Sequence, residues 1–307
     1  MKILVTGAAG QIGSELLPTL SKKYGEDNVI SLDLRPLDSK HHEVGDATDK
    51  SFLESIIKKY SITEIYHLVG ILSAKGEQNP DLAYNVNMNS LKNILDIAKE
   101  LKMKIFWPSS IAAFGPTTPK DNTPQRTVLE PGTMYGITKV AGELLASYYF
   151  HKYGVDVRSL RYPGVIGWKA PPGGGTTDYA VNIFHEALKE KKFSCFLKPG
   201  TYLPMMHIED AVRATIELMG ADGSKLSVRT SYNISAISFS PDEVAAEIKK
   251  HIPEFEITYA PDFRQQIAES WPNSIDDSSA RKDWNWKHHY DLPKLVENMI
   301  TNLKGHR

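Results

Sequence analysis

Tyr135-Gly-Ile-Thr-Lys139 sets a phenol and an ammonium four residues apart, which on a helix puts both on one face. A tyrosine with its ordinary pKa of about 10 is a poor base at neutral pH. A neighbouring ammonium favours the phenolate and draws that pKa toward the working range. Met alone, such a pair is more often a packed tyrosine beside a solvated lysine, so its weight comes from its company. Upstream, the run Ile105-Phe-Trp-Pro-Ser-Ser110 ends in two hydroxyls, at the carboxyl edge of a strand where parallel sheets bind ligands. Ser110 is expected to hydrogen-bond a substrate oxygen that becomes a carbonyl, and Ser109 to be structural.

The remaining company lies at the start of the chain. Gly7-Ala-Ala-Gly10-Gln-Ile-Gly13 follows an apolar β-branched run and precedes a helical pattern. There glycines permit a tight turn, and backbone N–H groups with the positive helix end meet a pyrophosphate. The spacing G-x-x-G-x-x-G matches the G-x-G-x-x-G fingerprint in mechanism but not in letters. Asp33, 20 residues beyond Gly13, closes the second strand, where a carboxylate accepts bonds from adenosine ribose hydroxyls and repels a 2′-phosphate. Arg35 is the one feature favouring NADP. A surface arginine over the adenine is its milder reading, so NAD is the expected cofactor. Asp46, in Gly-Asp-Ala, is a weaker candidate for the adenine edge. With Ser110, Tyr135 and Lys139, the glycine loop makes a hydride-transfer site.

These residues need a scaffold, and the periodicity supplies one. Short apolar runs at 2–6, 29–32, 65–69, 105–107 and 155–160 read as strands; 12–20, 51–59, 81–101 and 134–153 repeat apolar residues at helical spacing. Alternation of this kind implies right-handed crossovers and an α/β doubly wound parallel sheet of Rossmann type. Past residue 163 the pattern loosens. A Pro/Gly-rich segment at 170–175 precedes a helix at 179–191, strands at 193–197 and 232–234, and a helix start with Ser240 as N-cap, Pro241 as first residue and Glu243 completing a capping box. The expected division is a dinucleotide-binding domain over 1–165 and a smaller C-terminal substrate lobe over 166–307, partly interleaved with the first.

Bulk properties narrow the function. Formal net charge is −1 and no basic run occurs, so nucleic acid is not an expected partner. No stretch of about 18 apolar residues exists to span a bilayer. The single cysteine, Cys195, in an apolar run, reads as a buried strand residue. The adjacent pairs His41-His42 and His288-His289 lack the i, i+4 spacing of a zinc site, so no metal is expected. An apolar run directly after Met1 leaves no room for a leader, and a cytoplasmic location is expected.

Thr6-Gly-Ala-Ala-Gly-Gln-Ile-Gly13, Pro108-Ser-Ser-Ile-Ala-Ala-Phe-Gly115, Tyr135-Gly-Ile-Thr-Lys139 and Arg161-Tyr-Pro-Gly164 resemble the extended short-chain dehydrogenases, the group that contains the nucleotide-sugar epimerases. A narrower likeness is to the short-chain L-threonine 3-dehydrogenases. It rests on the stretches from His67 to Pro80 and from Pro171 to Ala180, on Thr201-Tyr-Leu-Pro-Met-Met206 and on Glu269-Ser-Trp-Pro272. Val69-Gly70 and Phe114 depart from the pattern, away from the proposed chemistry. The resemblance implies oxidation of the L-threonine 3-hydroxyl to 2-amino-3-ketobutyrate. It adds Gln11, Ile12, Leu68 and Pro163 to the cofactor contacts, with Tyr135 and Lys139 touching the cofactor too and Lys139 anchoring its ribose; it adds Ser73 and Thr177 to the substrate contacts, and Trp271 as a residue closing the pocket. The loop 173–177 offers backbone N–H groups and two hydroxyls for a carboxylate or ammonium. Helices 81–101 and 134–153 carry more apolar residues than one sheet face needs, and the resemblance implies a homodimer through a four-helix interface. Two alternatives stand beside this one. A nucleotide-sugar epimerase or dehydratase would need groups for a second nucleotide, and a dinucleotide-sensing module without turnover would be expected to lack the Tyr or the Lys.

Overall fold

The computed structural model describes residues 1–305. In chain order it runs β1 (Ile3–Thr6), α1 (Gly13–Tyr24), β2 (Val29–Asp33), β3 (His42–Val44), α2 (Lys50–Tyr60), β4 (Glu64–His67), α3 (Ser73–Gln78), α4 (Pro80–Tyr84), α5 (Ser90–Leu101), β5 (Lys104–Ser110), α6 (Met134–Tyr153), β6 (Val157–Tyr162) and β7 (Gly164–Ile166). There follow α7 (Tyr179–Lys189), β8 (Lys192–Cys195), β9 (Leu203–His207), α8 (Ile208–Gly220), β10 (Tyr232–Asn233), β11 (Ile237–Phe239), α9 (Pro241–Lys249), β12 (Glu256–Tyr259), α10 (Arg264–Glu269), α11 (Ser278–Trp284) and α12 (Leu292–Gly305).

Strands β1, β4 and β6 are buried along their whole length, because helices cover both faces of the sheet. The main sheet has the order β10-β6-β5-β4-β1-β2-β3, and every pairing in it is parallel. From β1 the chain winds outward through β2 and β3, then returns to lay β4 on the other flank of β1. That reversal opens a crevice at the carboxyl ends of β1 and β4. The glycine loop leaves β1 there and Leu68 leaves β4.

A second core packs Phe184, Phe193, Phe239, Val244 and Leu295 of the later chain with Ile111, Phe114 and Tyr135 of the earlier one. The chain also crosses back. β10 joins the edge of the main sheet, and Ile208, Ala211 and Val212 of α8 pack with Ile3, Val5 and Phe106 of the first core. Cys195 ends β8 fully buried, and burial pushes its thiol up to about 11. Among the described residues no helix is long and apolar enough to cross a membrane.

Two local features differ from the periodicity. The helix expected over 81–101 is interrupted by a π-helical turn, Asn85–Asn89. There the Asn87 amide turns inward, accepting from Ile71 N (2.7 Å) and donating to Ile71 O (3.2 Å); such wide turns are common beside functional sites. Residues 73–78 form a short helix that no periodicity announces.

Candidate active site

The floor of the crevice is the glycine loop. Gly7 has φ +71, and its N–H donates to Leu32 O at 2.9 Å, which turns the chain sharply out of β1. Asp33 braces the loop from β2: Oδ2 accepts from Ala9 N at 2.9 Å and Oδ1 from Arg35 N at 3.1 Å. Arg35 closes the brace by donating from Nη2 to Ala9 O at 2.7 Å. The cleft has three stretches that share Leu68 and Gly70. Asp33, Asp46 and Gly10 line the outer one. Gly7, Gly10, Gln11, Ile12 and Arg35 line the middle one, beneath Pro171 and Pro172. Gln11, Ile12, Ser73, Ser110, Tyr135, Lys139, Pro163, Thr177 and Trp271 line the inner one. A long cleft with glycine backbone at its middle, a carboxylate at one end and hydroxyls at the other fits an extended dinucleotide.

Helix α6 carries the inner chemistry. Thr133 caps it, its hydroxyl accepting from Gly136 N at 3.1 Å. A Cβ on Gly136 would lie 2.3 Å from Ala112 O, so only glycine lets the first turn of α6 sit this close to the end of β5. That approach brings Tyr135 beside Ser110 on the wall of the inner stretch. Lys139, one turn on and only 4% exposed, donates from Nζ to Pro108 O at 2.6 Å, and its ammonium lies 5.2 Å from the Tyr135 ring centroid.

The electrostatics differ from the expectation that Lys139 lowers the tyrosine. Burial pushes Tyr135 up to about 12, only partly offset by the Ser110 hydrogen bond, and pushes Lys139 down to about 7 despite the nearby Glu143. Both groups are desolvated more than either is helped by the other. Ser109 takes the structural part, donating to Glu143 Oε1 at 2.6 Å.

The loop after β7 also departs from its expected use. Three of its backbone N–H groups are committed to side chains: Gly174 and Gly175 both donate to Asp178 Oδ2 at 2.8 Å, and Thr176 to Ser73 Oγ at 3.2 Å. Those three groups are thus taken, and the loop turns Thr177 and Asp178, with Gly175 and Thr176, to the inner stretch. Asp178 is the one carboxylate lining the inner stretch, and burial raises its pKa against the pull of the two N–H bonds. No motif or spacing singles it out in the sequence, although it directly follows Thr177. Trp271 is buried at the opposite wall, its carbonyl held by Lys120 Nζ at 3.0 Å. No group of three or more metal-ligating side chains occurs among the described residues.

A dinucleotide cleft ending at a Ser/Tyr/Lys cluster defines an oxidoreductase of the short-chain kind. The chain belongs to the NAD dependent epimerase/dehydratase family, whose model matches residues 3–235. It is 50% identical over 306 residues to a mitochondrial L-threonine 3-dehydrogenase of Bos taurus, covering 98% of this chain and 82% of that one. Among solved structures it resembles a GalE-like L-threonine dehydrogenase from Cupriavidus necator in holo form, with TM-score 0.97, 53% identity and coverage of 99% and 100%. It also resembles a monomeric L-threonine 3-dehydrogenase from a metagenome in apo form, with TM-score 0.97, 49% identity and 99% of each chain covered.

Proposed function

We propose that the protein oxidises L-threonine at its 3-hydroxyl to 2-amino-3-ketobutyrate with NAD as acceptor, and that Tyr135 is the general base. The observation that carries this reading is the convergence of Ser110, Tyr135 and Lys139 with Thr177, Asp178 and Trp271 on one cavity at the inner end of the cleft. Relatives named for the same activity, at about half identity over nearly the whole chain, support it.

Bound NAD supplies the hydride acceptor and a positively charged ring. Ser110 donates to the substrate oxygen and holds it against the Tyr135 phenol. Tyr135 takes the hydroxyl proton as the C–H bond gives up its hydride, leaving a carbonyl. Positive charge brought into this dry site favours the phenolate and brings Tyr135 down from its resting value of about 12. Asp178 Oδ1, to which no hydrogen bond is drawn by the loop, is the partner for the substrate ammonium. Asp33 at the end of β2 favours NAD over NADP.

Leu82, Tyr84 and Leu101 on α4 and α5, with Ile137, Leu144 and Tyr148 on α6, are exposed large apolar side chains. We assign that face to a second copy, giving a homodimer.

The test is NADH formation by the purified protein with L-threonine, beside D-threonine, L-allo-threonine, L-serine and UDP-galactose, with NADP in parallel. L-threonine should exceed the other amino acids by far, and Tyr135→Phe should lower kcat by about 10²–10⁴-fold. No turnover of any amino acid, with UDP-galactose converted to UDP-glucose, would replace this reading by an epimerase.

A further inference from the structure

Three consecutive residues at the end of β5 each face one side chain from successive turns of α6. Pro108 O holds Lys139, Ser109 Oγ holds Glu143, and Ser110 lies beside Tyr135 in the inner cavity. Two of these pairs belong to the proton site described above. The third has no assigned part, yet Glu143 is only 1% exposed and Arg161, its partner on β6, only 3%. Arg161 grips it twice, from Nε to Oε1 at 2.8 Å and from Nη2 to Oε2 at 2.7 Å. Arg161 is itself fixed by Asn233 Oδ1 at 3.0 Å and Gln125 O at 3.1 Å. Asn233 then donates to Thr123 O at 3.1 Å and Asp276 O at 3.2 Å, so the clamp is anchored in both halves of the molecule.

A buried ion pair gives little net stability against apolar residues of the same volume, so fold maintenance alone does not explain this one. Its position beside Lys139 does. Lys139 faces Tyr135 and Glu143 on its own helix, the Trp107 ring and the Pro108 carbonyl on β5, and His67 on β4, with Arg161 on β6 beyond Glu143. His67 is held neutral, its pKa pushed down to about 3 chiefly by burial and further by the Lys139 charge. Of these groups Glu143 alone is an anion.

We propose that Glu143 is a positioning residue of the proton site: clamped by Arg161 and Ser109, it keeps the Lys139 ammonium charged and aligned on Tyr135. The clamp matters because burial works against that charge, and a carboxylate within one helical turn opposes the loss. This inference rests on Tyr135 being the base and Lys139 its cationic partner.

The experiment is the pH dependence of kcat for wild type and for Glu143→Gln, Ser109→Ala, Arg161→Lys and Tyr135→Phe, with melting curves for each. Turnover fails at high pH when Lys139 loses its proton. Glu143→Gln should move that alkaline limb down by about one pH unit with KM nearly unchanged. Ser109→Ala, which leaves the carboxylate in place, should keep the limb where it is. Arg161→Lys keeps a cation beside Glu143 but gives up the two-point grip that holds the carboxylate against Lys139, and should move the limb down by less than Glu143→Gln does. A folded Glu143→Gln enzyme whose kcat falls equally at every pH overturns the proposal; if that variant does not fold, an unmoved limb in Arg161→Lys does so. Undiminished turnover by Tyr135→Phe refutes the general-base reading instead, and is visible without any of the clamp variants.

Discussion

Asp178→Asn isolates the charge that the inner cavity offers an amino-acid substrate. In the native protein Oδ2 accepts from Gly174 N and Gly175 N, both at 2.8 Å, and the proposed reading gives the second oxygen to the substrate ammonium. Asparagine keeps the shape: its carbonyl takes the two N–H groups, while its NH₂ replaces the oxygen that would face an ammonium. A hydrogen bond to a charged group is worth about 1.5–3 kcal/mol, so KM for L-threonine should rise roughly 10- to 100-fold at saturating NAD. The 3-hydroxy acid lacking the amine should lose almost nothing, which separates charge recognition from damage to the pocket. Stability provides a second check. The native pKa of Asp178 is raised by burial, so the folded state holds that proton more tightly than the unfolded chain. Stability is therefore lost as pH rises from the unfolded pKa through the folded one, and above that window ionisation is a standing cost. Asparagine never ionises, and the variant should melt no lower than wild type at neutral pH. For the same reason threonine binding in the wild type should weaken on acidification at a higher pH than an ordinary carboxylate would give. A KM within about threefold of wild type, or equal losses for threonine and for the amine-free acid, would refute the reasoning.

Three more outcomes are expected. In Gly13→Ala the added methyl would lie 2.5 Å from Gly7 O and 2.6 Å from Ala8 O, so the loop must open; NADH affinity measured by fluorescence should fall at least about tenfold, and an unchanged titration would show that the loop does not hold the cofactor. Asp33→Ser removes the carboxylate at the end of β2 along with its bond to Ala9 N, and should raise kcat/KM with NADP relative to NAD by about tenfold or more in paired assays; an unaltered ratio would mean that another group selects the cofactor. Leu144, 61% exposed on α6, should tolerate lysine without loss of monomer stability, while the proposed dimer, followed by light scattering, should dissociate; unchanged mass would place the interface elsewhere.

What was legible in the sequence was short-range. Tyr135 and Lys139 share a helix face, Gly7 to Gly13 occupy one turn, and Ser110 ends a strand; local periodicity is enough to place such groups. The sheet followed from alternation, because buried parallel strands and amphipathic helices have different periods. The π turn did not, since it depends on Asn87 finding the Ile71 backbone across a loop. Nor did the committed N–H groups of the 173–177 loop, whose partner Asp178 lies within the same turn but whose geometry no spacing rule describes. The proton site shows the limit most clearly. Spacing places Lys139 beside Tyr135, and from that alone a lowered tyrosine pKa follows. The folded protein instead buries both, and burial penalises the phenolate and the ammonium alike, so each moves away from its charged form. What restores the charged pair must come from groups far away in sequence: Arg161 and Ser109 on the strands that hold Glu143, and a ligand's charge in the cleft. A motif names the reacting groups, and the fold around it decides their protonation.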